Sequence, residues 1–178
     1  SGKEEFSDNE TETIPFPKAI DKRGKISGSG LDSLRRADSQ FDEKIFVEGA
    51  TAAFQMILSA YADGDQSQLK RLLNYDLLQS FVQSINARVS AKETLEITVD
   101  EVREVSILNI EIADSVASIT VHFHTVQTRI ARDSADVLIE ESESEPREFI
   151  DIWTFERDLA LTDPNWKLAE TESADDES

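Results

Sequence analysis

Two histidines flank a phenylalanine in His122-Phe123-His124, the only His-x-His spacing in the chain. On a β-strand, residues two positions apart point to the same side, so both imidazoles would face one way, as two ligands of one metal ion must. The same side also carries the polar residues Ser118 and Thr120. A third ligand would have to be a carboxylate at an unidentified position. We therefore predict a solvated sheet face and no metal site.

Carboxylates are too abundant to indicate catalysis by their number alone, since the chain has 37 acidic and 18 basic side chains and a net charge of −19. Asp151 is the most informative of them, because it lies between Ile150 and Ile152 in a predicted buried strand and needs a partner there. Arg157 or Arg147 could supply that partner. A structural ion pair is the favoured interpretation, and a functional carboxylate is the alternative.

Several classes of chemistry are absent from the sequence. The chain has no cysteine, which excludes disulfides and thiolate catalysis. It has no glycine-rich phosphate loop and no nucleophile elbow. Its acidic charge disfavours nucleic-acid binding. The longest uncharged run, Gly49 to Ala62, has 14 residues, fewer than the roughly 20 that a spanning helix needs. We predict a domain that is not an enzyme, needs no cofactor and does not itself cross a bilayer.

The spacing of apolar residues changes once along the chain. From Phe41 to Ala62 they recur on one helical face, and shorter helices are predicted at about 67–73 and 75–89. From Leu95 onward the period becomes two, which predicts strands at about 95–112, 116–130, 149–159 and 166–169. A phase slip at Asp100-Glu101 predicts a β-bulge. Helices followed by strands predict an α+β fold, with the helices on one face of an antiparallel, meandering sheet.

Aromatic side chains on the predicted helices and on the predicted central strand are the candidates for lining a ligand pocket. They are Phe46, Phe54, Tyr61, Phe81, Trp153 and Phe155. Such residues form a core more often than a pocket. Helices laid over a curved sheet nevertheless often leave a cavity between the two layers, so both interpretations stay open.

The N-terminal region, residues 1–30, is predicted to be a disordered arm and linker, with a flexible joint at 27–30. The candidate contacts to anionic lipid are the basic residues in and just after this arm. They are Lys18, Lys22, Arg23, Lys25, Arg35 and Arg36. Residues 18–36 carry a net charge of +4, whereas residues 41–178 carry −18. Any membrane contact is therefore predicted to run through the arm, and a solvated linker is the alternative.

Three groups of residues, taken together, resemble the Tim44-like domain family. The first runs from Phe41 to Asp65, and the second is Leu69-x-x-Leu72-Leu73. The third pairs the motif WTFERD at 153–158 with DPNWKL at 163–168. The resemblance covers the predicted domain, residues 31–171, and leaves 172–178 as an acidic tail that we expect to be mobile.

The resemblance implies a cone-shaped fold similar to that of nuclear transport factor two, with a pocket between the helices and a concave sheet. It also implies a membrane-associated tether: the mitochondrial member holds the matrix heat-shock chaperone at the import channel and binds cardiolipin. This chain differs in its acidity and in lacking a long chaperone-binding N-terminal region. Both differences indicate an α-proteobacterial member rather than a chaperone tether.

The expected function is that of a non-enzymatic adaptor or scaffold for protein translocation. Its expected place is the cytoplasmic side of the bacterial inner membrane, with an anchor upstream of Ser1; the alternative is the matrix face of the mitochondrial inner membrane. The expected partners are anionic lipid and a membrane protein or translocation component. The alternative function is a domain that binds lipid or a small ligand in its cone, with or without enzyme activity in the cavity.

Overall fold

The computed structural model describes residues 28–139 and 143–173. Four helices come first: α1 (Gly28–Ala37), α2 (Glu43–Asp63), α3 (Gln66–Leu72) and α4 (Tyr75–Ser90). Four strands follow: β1 (Thr94–Ala113), β2 (Val116–Arg132), β3 (Glu143–Asp158) and β4 (Lys167–Ser173). The strands form one antiparallel sheet in the order β1-β2-β3-β4. The predicted α+β class with a meandering sheet is confirmed.

Helix α2 has clear sequence signals at both ends. The Asp42 carboxylate accepts a hydrogen bond from the Ile45 amide at 3.1 Å, and Gly64 ends the helix with a left-handed φ of 72°. Among the described residues, α2 is the one helix that is long and apolar enough to cross a bilayer. The short uncharged run within it had predicted that no segment could do so. One side of α2 belongs to the core. Its buried residues are Phe46, Ala50, Phe54, Ile57, Leu58 and Ala60.

Strand β1 is one long strand with irregular pairing to β2. The predicted slip near Asp100 is confirmed, since the register shifts between Val99 and Glu101. Two further shifts, one before Glu104 and one after Ile107, were not predicted. Each such irregularity bends a strand and increases its local twist. They explain why the apolar positions of this strand do not keep a strict period of two.

Two element boundaries differ from the prediction. Helix α1 begins at Gly28, so most of the predicted flexible joint is helical. The role of Gly30 is close packing, because a Cβ there would lie 2.0 Å from the carbonyl oxygen of Ile110 in β1. At the other end of the domain, β4 continues to Ser173, which pairs with Asp151. The sheet therefore includes two residues of the predicted acidic tail.

Strand β3 lies between β2 and β4, which confirms its prediction as a central strand. It begins at Glu143, well before the predicted start at residue 149. Its first part pairs with β2, with Arg147 opposite Gln127. The alternation of apolar residues does not reveal this part, because its residues 144–148 are exposed and need no apolar side chains.

Candidate functional site

The inner face of the sheet is the side that packs on α2, where Phe123 and Trp153 contact Phe54. Along β2, every second residue points to this side. The first four of these are fully buried and apolar: Ala117, Ile119, Val121 and Phe123. The next two, Thr125 and Gln127, are fully buried but polar. The inner face thus changes from apolar to polar within one strand.

The apolar part contains four of the six candidate pocket residues. Phe54 lies 4.5 Å from Trp153 between ring centroids, and Phe46 lies 6.0 Å from Phe155. Phe54 also stacks on Phe123 at 4.3 Å. All four predicted side chains are buried. They fill the interior by contacting one another, so they form the core here, and their contact with a ligand stays a prediction.

The other two candidates, Tyr61 and Phe81, form a separate pair at the C-terminal end of α2. Their rings meet edge to face at 5.4 Å, and the Tyr61 hydroxyl shares a hydrogen bond with Ser84. The guanidinium of Arg88 lies 4.9 Å from the Tyr61 ring and donates to the carbonyl oxygens of Tyr61 and Ala62 at 2.7 and 3.1 Å. Arg88 therefore stabilises the last turn of α2.

The polar part of the inner face holds a chain of hydrogen bonds along β2. The Gln127 amide nitrogen donates to the Thr125 hydroxyl at 2.8 Å, and Arg129 Nε donates to the Gln127 carbonyl oxygen at 3.0 Å. A buried amide or hydroxyl costs free energy unless it is bonded, and here each supports the next. These hydrogen bonds fix the position of the half-buried Arg129 guanidinium.

Two guanidinium groups meet at one aromatic ring in this polar part. Arg129 lies 4.5 Å and Arg147 lies 4.8 Å from the centroid of Phe149. Burial lowers the pKa of Arg129, the Asp151 carboxylate opposes that shift, and Arg147 adds to it. An arginine nonetheless stays charged in proteins. The result is a local positive site, defined by Arg129, Arg147 and Phe149, within a strongly acidic protein.

Asp151 is buried, as predicted. Arg157 donates to the Asp38 carboxylate at 3.0 Å and lies 5.9 Å from the Trp166 ring. This ion pair joins the segment after α1 to β3. Arg157, one of the two predicted partners of Asp151, thus pairs with Asp38, an acid that the sequence pattern does not connect with it. The charge of the Asp151 carboxylate acts to raise the pKa of Arg129.

The two histidines lie on the outer face, as predicted. Their cross-strand neighbours on β3 are Ile152 for His122 and Ile150 for His124, so this face is less polar than expected. Burial lowers the pKa of His122. His124 Nε2 lies 3.0 Å from the carboxylate of Glu148. Among residues 28–139 and 143–173, no three His, Cys, Asp or Glu side chains are grouped to hold a metal ion.

The candidate lipid contacts divide into two sets. Lys18, Lys22, Arg23 and Lys25 lie outside the described residues. Arg35 and Arg36 lie in the last turn of α1. Arg35 is paired with Glu43 at 3.2 Å and Arg36 donates to Ser33 at 3.2 Å.

Sequence reasoning did not identify Thr125, Gln127 and Arg129. A signal was present, because they continue the alternation of Ala117 to Phe123 on β2 with polar side chains. An alternation that keeps its phase but changes polarity indicates a strand passing from the core to a polar interior site.

Comparison with known proteins gives a family and a similar fold. No curated protein sequence matches the chain. The intermembrane-space region of the chloroplast protein ARC6 superposes with a TM-score of 0.54 at 14% identity, covering 75% of this chain and 97% of that one. A periplasmic fragment of TraM gives 0.45 at 14% identity, covering 70% and 93%. A sequence profile of the Tim44-like domain matches residues 27–173. Because that match includes every described residue, the chain belongs to the Tim44-like domain family.

Proposed function

We propose that this domain is a non-enzymatic adaptor that works at a membrane and binds a protein component of a translocation system. The observation that carries the proposal is the family match over residues 27–173. The likeness to the ARC6 region supports the fold on which it rests. We further propose the inner membrane of a bacterium, on its cytoplasmic side, as the place of action.

The packing of the interior supports an adaptor over an enzyme. The apolar inner face is occupied by the protein's own rings, with Phe54 against Phe123 and Trp153. A catalytic pocket needs room for a substrate beside its polar groups. A partner that binds the surface needs no such room.

The distribution of charge supports contact with lipid through the arm. The domain from residue 41 onward has a net charge of −18 and is repelled by an anionic surface, whereas residues 18–36 carry +4. Each basic residue close to anionic lipid contributes about 1 kcal/mol, so this contact is weak and suits a protein that is also anchored elsewhere. Co-sedimentation with cardiolipin-containing liposomes tests it. Binding at low salt and release at high salt are expected.

The second candidate is a domain that binds a lipid or another small ligand. The positive site and the buried Gln127 favour it, because the two guanidinium groups beside the Phe149 ring can hold an anionic group. Native mass spectrometry of the purified protein tests this candidate. A co-purified small molecule that is lost in Arg129→Gln and kept in Arg132→Gln, which changes a more exposed arginine of β2, would favour it over the adaptor.

A further inference from the structure

The side of α2 that points away from the core is apolar, although it faces solvent. Ile45 is 67% exposed and Met56 is 42% exposed. Gly49 and Ala52 lie between them and are exposed as well. No atom of the described residues lies within 4 Å of the position that a Cβ of Gly49 would take. At steps of four, three and four residues, these four residues form one line along the helix, here called the outer stripe.

The surroundings of the outer stripe carry little charge, although the protein has a net charge of −19. Two copies of such a protein repel each other over most of their surfaces. No residue from Gly49 to Ala62 is charged, and the exposed side chains that flank the stripe there are Gln55 and Ser59. Near the other end of the stripe lie Lys44 and Glu48, which have opposite charges. Two copies can therefore meet on this side of α2 with less repulsion than elsewhere.

The outer stripe is complementary to itself when it is reversed, since its side chains read large, small, small, large. In an antiparallel pair of α2 helices, a two-fold axis midway between Gly49 and Ala52 places Gly49 of one copy level with Ala52 of the other. The same axis places Ile45 level with Met56 of the second copy. The small residues allow the two helices to approach closely, and the large ones cover both ends of the contact.

The charges beside the stripe favour the antiparallel orientation over the parallel one. A parallel pair would bring Glu48 against Glu48 and Lys44 against Lys44, and like charges in contact are unfavourable. In the antiparallel pair, Glu48 lies near the uncharged Gln55 of the second copy. The dipoles of the two helices also attract each other when the helices run in opposite directions.

We propose that the domain forms a homodimer through the outer stripe, with the two α2 helices antiparallel. The buried side of α2, which includes Phe54, stays in the core of its own copy because it points the other way. A stable interface usually takes about 800 Å² from each partner, more than one side of one helix provides. The dimer is therefore weak, with an expected dissociation constant of about 10–100 µM. It does not depend on the proposed membrane role.

Sedimentation equilibrium of the full chain over a range of concentrations tests the dimer. Ala52→Glu places like charges at the centre of the contact and is expected to raise the dissociation constant at least about tenfold. Ala87→Glu is the matched control, because it makes the same change at an exposed alanine of α4 and should leave association unchanged. Circular dichroism checks that both variants keep their fold.

Salt separates this contact from one held by charges. Added salt is expected to strengthen the association of the parent protein, because it screens the repulsion between two acidic copies. A parent protein that stays monomeric up to about 1 mM would overturn the proposal and leave the outer stripe to a different partner. Equal effects of Ala52→Glu and Ala87→Glu, or a dimer that dissociates in high salt, would also overturn it.

The absence of cysteine from the sequence allows a disulfide test of the orientation. In the antiparallel dimer, the two copies of Ala52 lie close to the two-fold axis. The two copies of Ile45 are separated by the rise from residue 45 to residue 56, about 16 Å along the helix. Under mild oxidation, Ala52→Cys is therefore expected to form a linked dimer about tenfold faster than Ile45→Cys, although Ile45 is 67% exposed. Equal rates, or a faster reaction of Ile45→Cys, would overturn the antiparallel arrangement.

Discussion

The contact between α1 and β1 at Gly30 gives a prediction whose size follows from the structure. A Cβ at this position would lie 2.0 Å from the carbonyl oxygen and 2.9 Å from the carbonyl carbon of Ile110. Ile110 is buried and pairs with Ile119 of β2, so its backbone cannot move cheaply. In Gly30→Ala, α1 must shift outward by about 1 Å or more, which disturbs the fully buried Leu34.

The expected cost of Gly30→Ala is about 1–3 kcal/mol, the usual range for overpacking a dense interior. Gly49→Ala is the matched control, because a Cβ there meets nothing within 4 Å. Alanine in place of a helical glycine stabilises by about 0.5–1 kcal/mol. The same substitution is thus expected to have opposite effects on the free energy of unfolding in α1 and α2.

Urea and thermal unfolding, followed by the fluorescence of the buried Trp153, measure both variants. For a protein of this size, the midpoint temperature should fall by about 2–12 °C in Gly30→Ala and rise by about 1–4 °C in Gly49→Ala. If Gly30→Ala were as stable as the parent protein, the described packing of α1 on β1 would be wrong.

Three further predictions concern buried groups. Trp153→Ala should destabilise by about 3–5 kcal/mol in urea unfolding, because this side chain is 4% exposed; the half-buried Trp166 should cost less on substitution. Asp38→Asn should cost about 1–3 kcal/mol, because it leaves Arg157 without its carboxylate in a pair whose side chains are 21% and 17% exposed. Burial lowers the pKa of His122 below its ordinary value of 6.5. As pH falls through about 6.5, the unfolded chain therefore takes up a proton at this histidine before the folded protein does, and the free energy of unfolding decreases. In His122→Gln, unfolding free energies at pH 7.5 and 5.5 should therefore differ less than in the parent.

Each of these predictions has a clear contrary result. If substitution of Trp153 and of Trp166 lowered the free energy of unfolding equally, the result would contradict their different burial. Glu43→Gln breaks the more exposed pair with Arg35, whose side chains are 35% and 51% exposed, and should lower the free energy of unfolding by under about 0.5 kcal/mol. A loss equal to that in Asp38→Asn would contradict the importance of the half-buried pair between Asp38 and Arg157. For His122, an identical pH slope in variant and parent would show that its burial does not affect stability.

Periodicity was sufficient to predict most of the fold. The face of α2 that carries Phe46 and Phe54 is continuous at helical spacing, and Ala117 to Phe123 alternate without interruption in β2. Local signals of this strength depend on neighbouring residues, so they can be found in one sequence. The end of α2 at Gly64 is of the same kind.

Features that depend on contacts between distant segments were not predicted. Asp38 and Arg157 are 119 positions apart, and no periodic pattern connects them. Gly30 resembles a flexible linker residue because the residues before it are serine and glycine, although its role is set by Ile110. The positive site combines residues of β2 and β3, and only the register of the two strands brings Arg129 and Arg147 to the same ring.

The central claim, membrane contact by an adaptor, is tested most directly by co-sedimentation of charge-matched variants with cardiolipin-containing liposomes. Substitution is needed because a chain beginning at Phe41 would lack the buried Leu34. One variant replaces Lys18, Lys22, Arg23 and Lys25 by Gln. The control replaces four exposed basic residues of the folded domain by Gln, which removes the same charge: Lys44, Lys70, Arg71 and Lys92.

At low salt, the control variant is expected to pellet with the liposomes, and the arm variant is expected to stay in the supernatant. High salt should release the parent protein. Equal binding of the arm variant and the parent would contradict the account, because it would place the lipid contact in the folded domain.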